Sequence, residues 1–140
     1  MKIKDIQEEI IDEFAFFDDW MQRYEHMISL GKSLPLIDEA NKKEDYLIKG
    51  CQSKVWVYPE FNDGKVLFTA DSDAIITKGI VALLLRVFSN QTPEDILKAD
   101  TDFIDEIGLK EHLSPTRANG LVSMIKQLKM YALAYQSQLN

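Results

Sequence analysis

Cysteine occurs once, at Cys51, in a chain of 140 residues. A single thiol excludes an internal disulfide framework. Histidine is scarce too: only His26 and His112 are present, and neither stands at a familiar metal-ligand spacing from the thiol. A zinc or iron site is therefore not expected. Basic residues fall short of acidic ones, 16 against 23, leaving a formal charge of −7. That balance, with no basic stripe, speaks against a nucleic-acid backbone as partner. Long apolar runs are missing as well. The longest, Ile80 to Leu85, is far short of the ~20 residues that span a bilayer. Met1-Lys2 leads directly into an amphipathic helical pattern, without the apolar stretch of a signal peptide. The expectation is a protein of the reducing cytoplasm, with no membrane partner.

What is present is an ordinary globular balance, 46% apolar and 28% charged, in a length that fits one domain spanning residues 1–140. Ile6, Ile10, Phe14, Phe17, Met21, Tyr24 and Ile28 recur at helical spacing, and Asp18 and Asp19 interrupt them. This predicts two helices meeting at a cap, the second ended by Gly31. Tyr46-Leu47-Ile48 reads as a short strand. Val55 to Tyr58 and Val66 to Ala70 read as two more, joined at Asn62-Asp63-Gly64. Asp71-Ser72-Asp73 is placed to cap the strongly apolar helix Ala74 to Phe88. Thr92-Pro93 and Ser114-Pro115 open later helices, and Gly108 closes a short one. The order predicts an α+β fold, a small antiparallel three-stranded sheet covered by helices.

Several chemical readings compete. Gly31-Lys32-Ser33 lacks the earlier glycine of a phosphate loop, since that position is His26, and it follows a helix rather than a strand. Cys51, His112 and Asp71 are the residue types of a thiol hydrolase, where a base generates thiolate and a carboxylate orients the base. A lone cysteine is more ordinarily a small buried hydrophobe. Its setting argues for reactivity. Gly50-Cys51-Gln52-Ser53 is a polar loop before a strand, and Lys49 and Lys54 are placed to favour the thiolate.

Three segments carry a resemblance. Gly50-Cys51-Gln52-Ser53-Lys54-Val55-Trp56 resembles the GCQSxVW signature of the SufE family of sulfur acceptors. Asp71-Ser72-Asp73-Ala74-Ile75-Ile76-Thr77-Lys78-Gly79 looks like its DSDAxIxKG segment, and His112-Leu113-Ser114-Pro115-Thr116-Arg117-Ala118-Asn119-Gly120 like its HLxPxRxxG segment. Leu30-Gly31 and Leu34-Pro35 match the family's LGxxLP step.

The resemblance implies a SufE/IscU-like fold and a sulfur-transfer accessory protein rather than a stand-alone enzyme. It would accept persulfide sulfur from a PLP-dependent, SufS-like cysteine desulfurase, stimulate that enzyme, and pass sulfur to an iron–sulfur scaffold complex of the SufBCD kind. PLP would belong to the desulfurase, leaving this chain without a cofactor. By the same resemblance Cys51 is the acceptor, and Gly50, Gln52, Asp71, Asp73, His112 and Arg117 position the cysteine loop or the partner. Cluster scaffolds need several thiolates, and one cysteine favours carrier over scaffold. A Cys51 thiol hydrolase and a non-carrying adaptor that activates a partner enzyme are the alternatives.

Overall fold

In a computed structural model, which describes residues 2–139, the chain begins with α1 (Ile3–Ala15) and α2 (Trp20–Gly31). The buried face of α1 is Ile3, Gln7, Ile10 and Phe14, at the three-and-four spacing of a helical stripe. Asp19 ends the break between the helices: its carboxylate accepts from the Gln22 N–H at 2.8 Å, satisfying a free donor of α2's first turn. Two short 3₁₀ turns, Glu39–Asn41 and Glu44–Tyr46, lead toward the hairpin.

The sheet has two strands, β1 (Val55–Asn62) and β2 (Lys65–Ser72). Asp63 and Gly64 form the two-residue turn, with φ of 52° and 76°. Positive φ at both central residues matches the right-handed twist of the strands. Val57, Val66, Phe68 and Ala70 turn into the core, while their alternates face outward.

The expected third strand does not form. Tyr46 belongs to a 3₁₀ turn, and Leu47 makes only an isolated bridge to Trp56. The Ile48 N–H donates to the Val55 carbonyl at 2.8 Å. Gly50, at φ 86°, then takes the chain through a turn that extended residues do not make. A bridge remains where a ladder was predicted.

The central helix is α3 (Ile75–Phe88), buried over most of its circumference. Its Ala74 cap position makes no side-chain cap bond; Ser72 Oγ accepts from the Ala74 N–H instead. Three short helices follow: α4 (Pro93–Lys98), α5 (Asp102–Glu106) and α6 (Leu109–His112). Thr92 caps α4 by accepting from the Asp95 N–H, with Pro93 in the first turn as predicted. The last helix, α7 (Pro115–Leu139), runs across the molecule.

The helices α2 and α3 cross where Gly31 faces Gly79. A Cβ on Gly31 would lie 3.2 Å from the Gly79 nitrogen. Both helices are also tied to α1: Arg86 of α3 pairs with Glu9 at 2.7 Å and Glu13 at 2.9 Å, and His26 of α2 meets Glu13 at 2.6 Å. Burial opposes the charge on Glu13, yet Arg86 and His26 together hold its carboxyl below the usual carboxylate range.

Candidate functional site

Cys51 lies on a six-residue loop, 49–54, closed at its base by the Ile48-to-Val55 bond. Its Sγ donates to the Gly120 carbonyl of α7 at 3.6 Å. Gly120 is buried, and a Cβ there would stand 3.5 Å from Sγ. Gly50 lets the loop approach the same helix: its own Cβ would lie 2.7 Å from Ser123 Oγ. Thus a positive-φ glycine on the loop and a side-chain-free position on α7 together let the thiol be tucked in.

The half-buried thiol shares a small cavity with Gln52, Ser53, Thr77, Ile80, Thr116, Arg117, Gly120 and Met124. About 10 Å³ is left unfilled, on the scale of a single water. Arg117 stands at the mouth, exposed, on the first turn of α7; its N–H is capped by Ser114 Oγ. The exit of the loop is tied by the Lys54 N–H donating to Asp73 Oδ1 at 3.0 Å.

Burial pushes the Cys51 thiol up from its ordinary value. This corrects the expectation that neighbouring lysines favour the thiolate. Lys49 reaches Glu44 at 3.5 Å, and Lys54 is exposed. In this arrangement the resting group is the neutral thiol. Iodoacetamide alkylation of Cys51 in the folded protein is therefore expected to titrate with a midpoint above the ~8.5 of an unperturbed cysteine. A midpoint at or below that value would contradict the tucked geometry. The neutral form is favoured in the fold, so the linked stability is full below the unfolded-chain value and is lost as pH rises through the folded one.

The other expected site residues divide. Gly50, Gln52 and Arg117 gather around the thiol, and Asp73 holds the loop's exit. Asp71, opposite Trp56 in the hairpin register, turns to other partners. It pairs with Lys42 at 2.7 Å and Lys78 at 3.4 Å, and accepts from the Ser72 N–H. Burial opposes its ionisation, but Lys42 and that N–H outweigh it and hold the carboxyl low. Lys42 also lies over the Trp56 ring, 5.6 Å from its centroid. Asp71, on β2, thus clips the 3₁₀ segment and α3 to that strand through Lys42 and Lys78, and the carboxylate that reaches the cysteine loop is Asp73.

His112 is placed elsewhere as well. Its ring stacks on Trp20, 4.1 Å between centroids at 14°, and it does not line the Cys51 cavity. With His26 engaged by Glu13, a Cys–His–Asp arrangement is not assembled among the described residues. No group of three or more His, Cys, Asp or Glu gathers there in a metal-holding cluster, and no described helix is long and apolar enough to cross a membrane.

Sequence reasoning missed Thr77, Ser123 and Met124, and gave Gly120 no role. Gly120 is three positions after Arg117, hence on a neighbouring part of the same helix face. That spacing was the available signal.

These features describe an α+β domain that holds its one thiol on a pinned loop against the N-terminal turns of a long helix. The chain belongs to the SufE family: the family profile described as "SufE: Fe-S metabolism associated domain" matches residues 8–132. It is 42% identical over 130 residues to an uncharacterised SufE-like protein of Rhizobium meliloti, covering 89% of this chain and 93% of that one. An uncharacterised SufE-like protein of Synechocystis is 37% identical over 127 residues, covering 91% and 80%. A hypothetical protein from Thermus thermophilus, solved in solution, shares the fold with a TM-score of 0.78 at 19% identity, covering 94% of this chain and 96% of that one. Family membership associates the chain with iron–sulfur metabolism.

Proposed function

We propose that Cys51 is a sulfur acceptor, taking sulfur from the persulfide of a cysteine desulfurase and delivering it to an iron–sulfur assembly complex. The observation that carries this reading is the thiol itself: half-buried beside Gly120, in a cavity with little spare room, on a loop bonded at its two ends. A carrier needs its sulfur shielded between partners and free to reach during transfer. Among the described residues a single hydrogen bond of a weak donor holds Sγ in place, so leaving the cavity is inexpensive.

The step is thiol exchange at a sulfane sulfur. Cys51 loses its proton to solvent once its loop swings out and the burial that raised its pKa is relieved. The thiolate attacks the outer sulfur of the donor persulfide. A new S–S bond forms on Cys51, the donor's S–S bond breaks, and the donor leaves as a thiolate. No electrons are gained or lost overall. On return, the Cys51 persulfide anion comes to rest beside Arg117, whose fixed positive charge stabilises it. PLP chemistry stays in the desulfurase, and the chain acts in the reducing cytoplasm as an activator and carrier.

Intact mass after incubation with a cysteine desulfurase, PLP and cysteine is expected to rise by one sulfur atom. The gain maps to Cys51, is reversed by a reductant, and is absent in Cys51→Ser. An unmodified Cys51 while the desulfurase turns over would refute the carrier role. Stimulation of the desulfurase that persists in Cys51→Ser, with no mass gain in the wild type, would instead establish a non-carrying adaptor.

A further inference from the structure

A second surface feature lies on α7, lined by residues that take no part in the Cys51 cavity. Val122, Met130 and Leu133 are each 53% exposed. With Leu97 of α4 and Ile125 they floor a groove of about 490 Å³. The apolar positions of α7 run from Val122 to Leu133, a stripe of about 16 Å at 1.5 Å per residue. Gly120 and Met124, which line the thiol cavity, belong to a different face of the helix.

The rim is one-signed. Lys110, Lys126 and Lys129 line the groove, and among the described residues no carboxylate does, although acidic residues outnumber basic ones in the chain by 23 to 16. Lys129 is fixed in place, its Nζ donating to the carbonyls of Ala99 at 2.6 Å and Leu97 at 3.5 Å. Lys126 makes no ion pair among the described residues. Lys110 reaches Asp105 only at 3.8 Å.

We propose that this groove docks an amphipathic, acidic helix of a partner protein. An apolar stripe of helical spacing accepts the apolar face of such a helix, and the lysines meet its carboxylates. A second copy packed α7 to α7 fits poorly, because the two-fold would set the Lys126 and Lys129 charges of both copies along one seam. The chain's own acidic apolar corner, Phe16 and Met21 beside Asp18 and Asp19, would dock head to tail and leave the assembly open-ended. A helix bound on this face leaves Cys51 free, so a second protein can be held while the thiol is engaged elsewhere.

The probe is a synthetic helical peptide of about four turns with Leu along one stripe and Glu elsewhere, compared with the same peptide carrying Lys for Glu. Binding is followed by amide shifts of the labelled full-length protein. The acidic peptide is expected to bind at least about tenfold more tightly than the basic one, with affinity falling as salt rises. Shifts should concentrate on α4 and α7. Met130→Glu is expected to weaken binding by about tenfold and Lys126→Glu to weaken it further. Both positions are exposed, so the variants should keep the wild-type circular dichroism and Cys51 alkylation rate. Equal affinity for both peptides, absence of saturable binding, or shifts confined to other elements would overturn the proposal. So would concentration-dependent self-association of the protein alone that Phe16→Ser abolishes, since the groove would then serve a second copy.

Discussion

Gly79→Ala is expected to unfold the protein or lower its stability by about 3 kcal/mol or more. A Cβ built on Gly79 would run into the Met27 carbonyl oxygen and lie 2.8 Å from its carbon. These are backbone atoms of α2, which no rotamer change can move aside. The two helices would have to separate, and α3 is the element around which the core is built. Val81, Leu83, Leu84, Val87 and Phe88 are all nearly inaccessible. Each such side chain contributes about 1.5–3 kcal/mol through burial, so even a partial separation is expensive. Helix propensity runs the other way, favouring Ala over Gly by about 1 kcal/mol, and is outweighed by the clash. Gly64→Ala provides the contrast. Nothing lies within 4 Å of its Cβ, and only the strain of φ 76° opposes it, of order 1 kcal/mol. Urea unfolding of both variants checks the ranking. A Gly79→Ala midpoint close to that of the wild type would mean that the helices are not in fixed contact there.

The second large effect is expected at Gly120. Replacing it by Leu should raise the alkylation rate of Cys51 by tenfold or more while leaving the fold intact. Gly120 lies inside α7, where Leu is the better helix former by about 0.8 kcal/mol. Its added Cβ would be in ordinary contact with Cys51 Sγ at 3.5 Å and Cα at 3.7 Å. The carbons beyond Cβ then require the volume the thiol occupies, and the neighbouring Ile80 and Met124 leave little other room. The loop gives way before the core does, because its Sγ–H bond to the Gly120 carbonyl is its only side-chain tie to α7 among the described residues. Once displaced, Cys51 loses the burial that held its pKa up, so exposure and ionisation both speed the reaction. Gly120→Ala adds only the ordinary contact and should change the rate little. Iodoacetamide kinetics alongside thermal unfolding give the answer. A folded Gly120→Leu protein that alkylates at the wild-type rate would show that the thiol does not rest against α7.

The elements with local punctuation are legible in the sequence. Asp63-Gly64 needs positive φ at both positions, Thr92-Pro93 carries a cap and a first-turn proline together, and Gly31 ends α2. Tyr46-Leu47-Ile48 misleads because an apolar triplet looks the same whether it pairs along a ladder or through one bond. Its fate is decided by Gly50, which turns the backbone away. The cysteine's surroundings are harder still. Lys49 and Lys54 are close in sequence, yet the groups that set the thiol's state lie on α3 and α7, with Gly120 69 residues away. Asp71 and Asp73 are equivalent as letters in one acidic turn. Only the register of the hairpin separates them, sending one to Lys42 and the other to the Lys54 N–H.

The tethering of the loop also sets a reach. Ile48 is bonded to Val55 on one side, and Lys54 to Asp73 on the other. Cys51 stands three residues from each anchor. At about 3.3–3.6 Å per extended residue, the Cys51 backbone can travel no more than about 10 Å from the base of its loop while both ties hold, with the thiol one side chain further out. Under the proposed acceptor role, a donor sulfur within that depth of a docked partner is reached by the loop alone. One lying deeper is out of range until the Ile48–Val55 closure opens as well, because releasing the Asp73 tie alone leaves Cys51 three residues from Ile48; the two bonds together set the depth that the loop can visit.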